Sequence, residues 1–170
     1  MRIVCFILCF VFCVSQGFTQ VKYKGEKGIS SVGGIVGYAI ESEQAVVGFD
    51  FRYNVLNRVR LAPSVLYHVK KNDTDDLFLN ADVHYLGRIT PKMTLYPLAG
   101  LGVSFLRHRT PNILPMKEKY VTETRLGLNL GFGGEVRVSK DLIIGAEFRY
   151  NWTERWYNRA MLLARVATYF

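Results

Sequence analysis

The sequence predicts an all-β fold: an eight-stranded antiparallel transmembrane β-barrel of the up-and-down type, preceded by a cleavable signal peptide. Three observations lead to this fold class. After its first residues the chain divides into eight segments in which apolar and polar side chains alternate; arginine but not lysine occurs inside those segments; and glycine is concentrated on their polar face. A side-chain period of two is that of a β-strand, whose successive residues point to opposite faces.

The first seventeen residues have the features of a secretory signal peptide. A charged start at Arg2 precedes an apolar run over residues 3–14, and Ser15-Gln16-Gly17 offers small residues at the cleavage position. Because the apolar run is too short to cross a bilayer as a helix, we predict cleavage after Gly17 and one domain over residues 18–170. All three cysteines lie in the removed segment, which excludes disulfides, thiolate catalysis and cysteine-ligated metals from the mature chain.

Eight segments are predicted as strands, each near the length that a tilted strand needs to cross a bilayer, about 9–11 residues. They cover residues 28–40, 45–55, 59–69, 77–89, 94–107, 123–138, 142–152 and 158–170. The second, fourth and sixth connections are tight turns, whereas the third (70–76), the fifth (108–122) and the seventh are longer; only the first breaks the alternation. Since transmembrane barrels have short periplasmic turns and longer outer loops, we predict both termini on the periplasmic side.

The orientation of the two faces is inferred from residues 145–152 and their near copy at residues 48–55. In both stretches one face carries an acid, an arginine and an asparagine, and the other face is apolar and rich in aromatic residues. A soluble barrel or sandwich with its polar face in water is the alternative. All nine lysines, however, lie in tails, turns or loops, whereas arginine suits burial because guanidinium is weakly hydrated and forks onto carboxylates. We therefore predict that the apolar face meets lipid and the ions face the interior, with Tyr and Trp in interfacial girdles.

Ion pairs are predicted to fill the interior. An eight-stranded barrel has room only for side chains inside, and nine of the fifteen glycines have inward parity, which leaves space for long arginines. The predicted lumen network pairs carboxylates with guanidinium groups: Asp50, Asp82, Glu135 and Glu147 with Arg52, Arg125, Arg149 and Arg165. Such a network holds the shape of the barrel and leaves a filled, non-conducting lumen.

This pattern, over residues 28–170, resembles the small eight-stranded outer-membrane barrels of the OmpA and OmpX kind, and the outer-membrane β-barrel domain proteins common in Bacteroidetes. Its most specific part is the last strand, residues 160–170, which alternates and ends in the aromatic Phe170. The resemblance implies a location in the outer membrane of a Gram-negative bacterium and insertion by the barrel-assembly machinery, with Phe170 as the assembly signal. It also implies a structural or surface-interaction role, with loops outward.

Basic residues at the outer rim indicate contact with anionic lipid. The formal net charge is +8, and removal of Arg2 with the signal takes it to +7. For an exported chain, lipid headgroups are the expected counter-charge rather than nucleic acid. We assign lipopolysaccharide contact to Arg107, Arg109, Lys117 and Lys119, with Arg107 on the lipid-facing side of its strand. We expect a monomer without cofactor, metal ion or nucleic-acid partner, because no nucleotide loop, metal-site spacing or nucleic-acid module occurs.

Two other functions on the same fold stay open as alternatives. Some small barrels are enzymes that modify lipid A through a Ser and a His at the membrane-facing rim. Here His68, His84 and His108 all have inward parity, and no Ser–His pair lies on the apolar face. His68 and His108 are expected near the outer rim, where a hydrogen-bonded role is favoured over a metal or general-base role because no third ligand is in view. The other alternative, a narrow pore, is disfavoured by the filled lumen. We therefore predict no catalytic residues.

Overall fold

The computed structural model describes residues 26–71, 74–110, 119–153 and 158–170, with the backbone alone for residues 71, 74, 108–110 and 119–121. The predicted signal peptide, residues 1–17, lies outside the described residues. The strands are β1 (Ser30–Ala39), β2 (Gln44–Asn54), β3 (Val59–Lys71), β4 (Thr74–Tyr85), β5 (Gly87–Arg88), β6 (Met93–Thr110), β7 (Lys119–Arg137), β8 (Leu142–Thr153) and β9 (Arg159–Tyr169). In these described ranges, no helix has the length and apolar character needed to cross a membrane.

The strands form one closed antiparallel sheet. Their order is β4-β3-β2-β1-β9-β8-β7-β6-β5, and β4 also pairs with β6, which closes the sheet into a barrel. Closure pairs the backbone groups that an open edge would leave unsatisfied, as a hydrocarbon environment requires. Because β1 pairs antiparallel with β9, the start of β1 and the end of β9 lie at one end of the barrel, which we call the terminal end; the opposite end is the far end.

Strands β4 and β5 together form one of the eight strands of the barrel wall. Both keep a single register with β6, since His84 lies opposite Leu98 and Gly87 lies opposite Leu95. The pairs missing between them are those of Tyr85 and Leu86, and Tyr85 falls opposite Pro97, which has no N–H to donate to the ladder. The predicted fold class, an eight-stranded antiparallel up-and-down barrel, is therefore confirmed.

Two connections are shorter than the sequence predicted, because strands continue into them. Within the predicted loop 70–76, β3 continues to Lys71 and β4 begins at Thr74; within the predicted loop 108–122, β6 continues to Thr110 and β7 begins at Lys119. Polar composition suggested loops at these positions. A barrel strand that extends past the bilayer no longer needs an apolar outer face, however, so its polar residues remain paired in the sheet.

The two faces of the wall have opposite character. Along β2, burial alternates from residue to residue: Phe49 is 60% exposed and its neighbour Asp50 is 2% exposed. The outward face includes Leu101, Phe132 and Trp152, each more than 60% exposed. The predicted orientation, apolar side chains outward and charged side chains inward, is confirmed.

The interior also contains an apolar layer that the sequence analysis did not predict. It lies towards the far end and consists of Ile35, Ala39, Val46, Leu66, Phe78, Met161 and Leu163, all buried and in one cluster. A smaller group of Leu86, Tyr96 and Leu98 lies nearer the terminal end. Sequence parity placed charged residues inside but gave no reason to single out the apolar residues that share the same face.

Candidate functional site: the interior ion network

Arg52 is at the centre of the network. Its Nε lies 2.6 Å from Asp50 Oδ2, its NH1 lies 3.3 Å from Glu135 Oε2, and its NH2 lies 3.2 Å from Glu147 Oε2. NH1 also donates a hydrogen bond of 2.9 Å to the hydroxyl of Tyr96, which in turn donates to Glu147 Oε2 at 3.1 Å. One buried guanidinium thus contacts carboxylates from three strands, β2, β7 and β8.

Arg60 is a member of the network that the sequence analysis did not assign to it. Its NH1 and NH2 donate to the two carboxylate oxygens of Glu135 at 2.8 and 2.7 Å, and its Nε donates to Asn54 Oδ1 at 2.9 Å. This forked geometry is the strong form of an arginine–carboxylate pair. The available signal was its inward parity on β3, which it shares with Ser64.

Two further arginines extend the network around the wall. Arg149 NH2 lies 2.8 Å from Glu147 Oε1 and 2.9 Å from Asp82 Oδ2. Arg165 Nε donates to both oxygens of Asp50, at 2.7 and 2.8 Å. All of these groups are at most 6% exposed, so the ionic contacts are shielded from water and depend on one another for compensation.

Glycines lie beneath the contacts that cross a strand. Gly33 lies opposite Asp50 on one side and Ala167 on the other, and a Cβ on it would lie 2.8 Å from Arg165 Nε. Gly133 is paired with Tyr96 on one side and Glu147 on the other, and a Cβ there would lie 2.6 Å from the Tyr96 ring. Each polar contact therefore passes over the intervening strand where that strand has no side chain.

The same arrangement holds an amide group in place. Asn129 Nδ2 donates to Asp82 Oδ1 and Asn80 Oδ1, both at 2.8 Å. Gly100, between them on β6, lies opposite Asp82 on one side and Asn129 on the other. Asn151 Nδ2 then donates to Asn129 Oδ1 at 2.8 Å, which continues the hydrogen-bonded chain to β8.

Arg125 lies apart from the central contacts. The sequence analysis grouped it with the other seven network residues, but its NH2 lies 2.6 Å from Glu123, two residues earlier on the same face of β7. It is paired in register with Ser104, towards the far end of the barrel. Arg125 pairs with the partly exposed Glu123 because side chains two residues apart on one face of a strand are neighbours.

A second polar group occupies the far end of the interior, and the sequence analysis missed it. Asp76, 1% exposed, forms an ion pair with Arg159 and accepts hydrogen bonds from the Ser104 hydroxyl at 2.7 and 2.9 Å. His68 Nδ1 is 4.0 Å from Asp76 Oδ2. The missed signal is parity: Asp76 continues the inward series of Asn80 and Asp82, but it lay in the predicted loop.

The described histidines are not arranged as a hydrolytic relay. Such a relay needs a histidine bonded to the hydroxyl and oriented by a carboxylate, whereas Ser104 donates directly to Asp76. His84 is stacked on Tyr96, with ring centroids 4.5 Å apart and planes 5° from parallel. The side chain of His108 lies outside the described residues. Among the side chains that are described, no three His, Cys, Asp or Glu groups converge as metal ligands would.

Those of the predicted surface residues that the structure describes fall at the two ends of the barrel. Arg107 is exposed near the far end of β6, opposite Asp75 and Thr122 in register. For Arg109 and Lys119 only the backbone is described, and Lys117 lies outside the described residues. At the terminal end, Phe170 is 73% exposed, with its ring centroid 6.2 Å from that of Phe51 and its N–H bonded to Ser30 O at 3.0 Å.

Known barrels share this fold. The β-barrel domain of Pseudomonas aeruginosa OprF has a TM-score of 0.64 and 14% identity, over 85% of this chain and 98% of that one. Neisserial surface protein A has a TM-score of 0.62 and 16% identity, over 84% and 95%. Ail, the attachment invasion locus protein of Yersinia pestis, has a TM-score of 0.59 and 17% identity, over 84% and 98%. At these identities the similarity establishes the fold alone.

A family model identifies the chain more directly than these structures do. No curated protein matches it in sequence. The model that describes the outer membrane protein beta-barrel domain matches residues 12–169, which is nearly the whole chain and includes every strand of the barrel. The chain therefore belongs to the outer membrane protein β-barrel domain family and is a barrel of the Gram-negative outer membrane.

Proposed function

We propose that this chain is a monomeric structural or surface-interacting barrel whose lumen is filled and does not conduct. The observation that carries the proposal is the set of inward contacts centred on Arg52, in which side chains from facing strands meet across the interior. The interior of an eight-stranded barrel is just wide enough for side chains to fill it.

The balance of charge supports a permanent filling. Four buried arginines (Arg52, Arg60, Arg149 and Arg165) contact four buried carboxylates (Asp50, Asp82, Glu135 and Glu147). With equal numbers of each sign, the network needs no permeating ion for compensation. Because removing one member leaves an uncompensated buried charge, the network is stable only with all of its members in place inside the lumen.

The apolar layer supports the same proposal independently. Between the central network and the far-end group of Asp76, the interior is lined by Leu66, Phe78 and Leu163. These side chains occupy interior space on β3, β4 and β9 that water would otherwise need, while β7 and β8 face them with the hydrogen-bonded amides of Asn129 and Asn151. The lumen is therefore filled by side chains above the central network as well as within it.

Single-channel recording in a planar bilayer tests the filled lumen. We expect no conductance steps above the baseline of a protein-free membrane, while a sixteen-stranded porin in the same membrane, which leaves an aqueous channel, serves as the positive control. Reproducible steps from the purified barrel would overturn the proposal in favour of the narrow pore.

The far end is proposed to face outward and to contact lipopolysaccharide phosphates. Strand β6 ends there at Thr110 and β7 begins there at Lys119, the widest separation in sequence between consecutive strands, and outer loops of such barrels are the longer ones. Arg107 is exposed at this end on the outward face, where a long cationic side chain reaches the headgroup level. Arg109, Lys117 and Lys119 add positive charge to the same region of the sequence.

Neutralisation tests this contact. Arg107→Gln with Arg109→Gln is expected to weaken association with lipopolysaccharide about ten- to thirty-fold at low salt, since each cation near an anionic surface contributes about 1 kcal/mol. Lys92→Gln with Lys140→Gln removes the same charge from exposed turns at the terminal end and is expected to leave binding unchanged. Equal losses in both pairs, or binding that salt does not weaken, would contradict the assignment.

Lipid A itself distinguishes this role from an enzymatic one. Mass spectra of lipid A from cells with and without the chain are expected to be identical, because the Ser104 hydroxyl is committed to the Asp76 carboxylate rather than to a histidine. A changed acylation pattern would replace the structural role with lipid A modification.

A further inference from the structure

The segment just before β1 turns across the terminal end of the barrel. Gly28 has a φ of +86°, the left-handed region that glycine adopts without strain. Its N–H donates to Asn54 O at 2.8 Å, and Asn54 returns a bond to Ile29 O at 3.0 Å. The Asn54 side chain also donates to Glu26 O at 3.1 Å. Residues 26–29 are therefore fixed to the end of β2.

Glu26 extends from this segment to the opposite side of the barrel. Arg137 NH2 lies 2.9 Å from Glu26 Oε1, and Arg88 NH2 pairs with the same oxygen. Around the ring, β6 is the wall strand directly opposite β1, and its two neighbours are β4 with its continuation β5 and β7. Arg88 belongs to β5 and Arg137 to β7, so the carboxylate crosses the mouth.

Although the Arg137 side chain is 35% exposed, Glu26 is more enclosed than a carboxylate in a surface ion pair. The residue is 7% exposed although it precedes the first strand. Two guanidinium groups on one carboxylate give charge-assisted hydrogen bonds, which are about twice as strong as neutral ones. Arg137 is in turn held by the Tyr169 ring, 4.8 Å from the guanidinium carbon. The acceptor site is thus built from β5, β7 and β9.

We propose that residues 26–29 are a stopper for the terminal mouth, and that Arg88 and Arg137 form a carboxylate-binding site of which Glu26 is the tethered occupant. Release of the Glu26 side chain from the two arginines opens the mouth and frees the site for a small carboxylate from solution. The proposal concerns the terminal end and does not depend on what the far end contacts or on whether the central lumen conducts.

Thiol accessibility tests the stopper. Ser31 is the first inward residue of β1 and is 3% exposed. In the full chain with Cys5, Cys9 and Cys13 changed to alanine, Ser31→Cys supplies the single thiol. Adding Glu26→Ala is expected to speed labelling by a small charged thiol reagent about ten-fold or more, the effect of losing one or two charge-assisted bonds on an opening equilibrium. Glu41→Ala is the matched control, because Glu41 also accepts a bond, from Ala160 N–H at 2.5 Å, but at the far end.

Chemical rescue tests the binding site. Acetate is expected to slow labelling of the Glu26→Ala variant relative to chloride at the same ionic strength, and Arg137→Gln in that background is expected to abolish the acetate effect. Heat-modifiable mobility on a gel verifies that each variant is folded, and Glu26→Gln, which keeps the side-chain shape, provides the comparison should Glu26→Ala not assemble. Labelling rates equal to those of the parent would overturn the stopper; rates that acetate and chloride affect equally would overturn the carboxylate site.

Discussion

At the scale of single residues, each buried charge of the ion network is compensated by charges of the opposite sign on neighbouring side chains. Glu147 accepts from Arg149 through Oε1 and from Arg52 and Tyr96 through Oε2. Few carboxylates in the interior serve so many donors, and burial removes water as a substitute partner. The stability of the barrel is therefore expected to be sensitive to the charge of this residue.

Glu147→Gln is expected to lower the free energy of unfolding by about 3–5 kcal/mol, because it leaves two buried arginines short of one negative charge. Urea unfolding in detergent measures the change. Asp141→Asn, in an exposed turn, removes the same charge and is expected to leave the midpoint in place. An unchanged midpoint for Glu147→Gln would mean that its charge contributes little to the network.

At the scale of the strand, glycine determines which contacts cross the wall. Gly133 lies under Tyr96, whereas Gly34, on the outward face of β1, would meet nothing within 4 Å if it carried a Cβ. The two positions have the same residue type and the same extended backbone, but opposite surroundings. A comparison between them separates the need for space from the general effect of replacing glycine in a strand.

Gly133→Ala is expected to destabilise the barrel by about 1–3 kcal/mol, as overpacking does in a filled interior. Gly34→Ala is expected to be neutral or slightly stabilising, because it restricts the unfolded chain without a clash. The same urea titration measures both. Equal effects of the two substitutions would show that Tyr96 does not require the bare strand beneath it.

At the scale of the whole molecule, the barrel is closed by pairing its first strand with its last. Residues 31–39 of β1 pair with residues 161–169 of β9, and Phe170 follows immediately with an exposed ring. These are the most distant segments of the described chain, so closure is the step with the largest entropic cost. A residue that serves as an assembly signal is therefore expected to lie next to the pairing of β1 with β9, as Phe170 does.

Phe170→Ala is expected to reduce the fraction of chain that reaches the folded, heat-modifiable form in cells several-fold, while the urea midpoint of the barrel that does form changes little. Phe132→Ala removes an outward aromatic of similar exposure, 65%, from the middle of the wall, and serves as control. A parallel loss in both variants would indicate that lipid contact, rather than an assembly signal, is responsible.

The number of strands, the outer-membrane location and the orientation of the apolar and charged faces were all determined by the sequence, because each follows from local chemistry. Alternation decides which side chains share a face, and the confinement of lysine to the N-terminal tail, to strand ends and to the segments between strands indicates which face meets lipid. The ends of β3, β4, β6 and β7 could not be predicted, since polar residues beyond the bilayer remain in the sheet as readily as they form loops.

The partners inside the barrel were decided only by the tertiary structure. Parity places Arg60, Arg125 and Asp76 inside, but the register around the closed ring decides that Arg60 meets Glu135, that Arg125 stays with Glu123, and that Asp76 meets Arg159. Glu26 reaches Arg88 and Arg137 only because the ring brings the far wall opposite the start of β1. A period of two in the sequence specifies which face of the sheet a side chain lies on. Whether two inward side chains form an ion pair also depends on their heights along the barrel axis and their positions around it, which are set only once the barrel is closed.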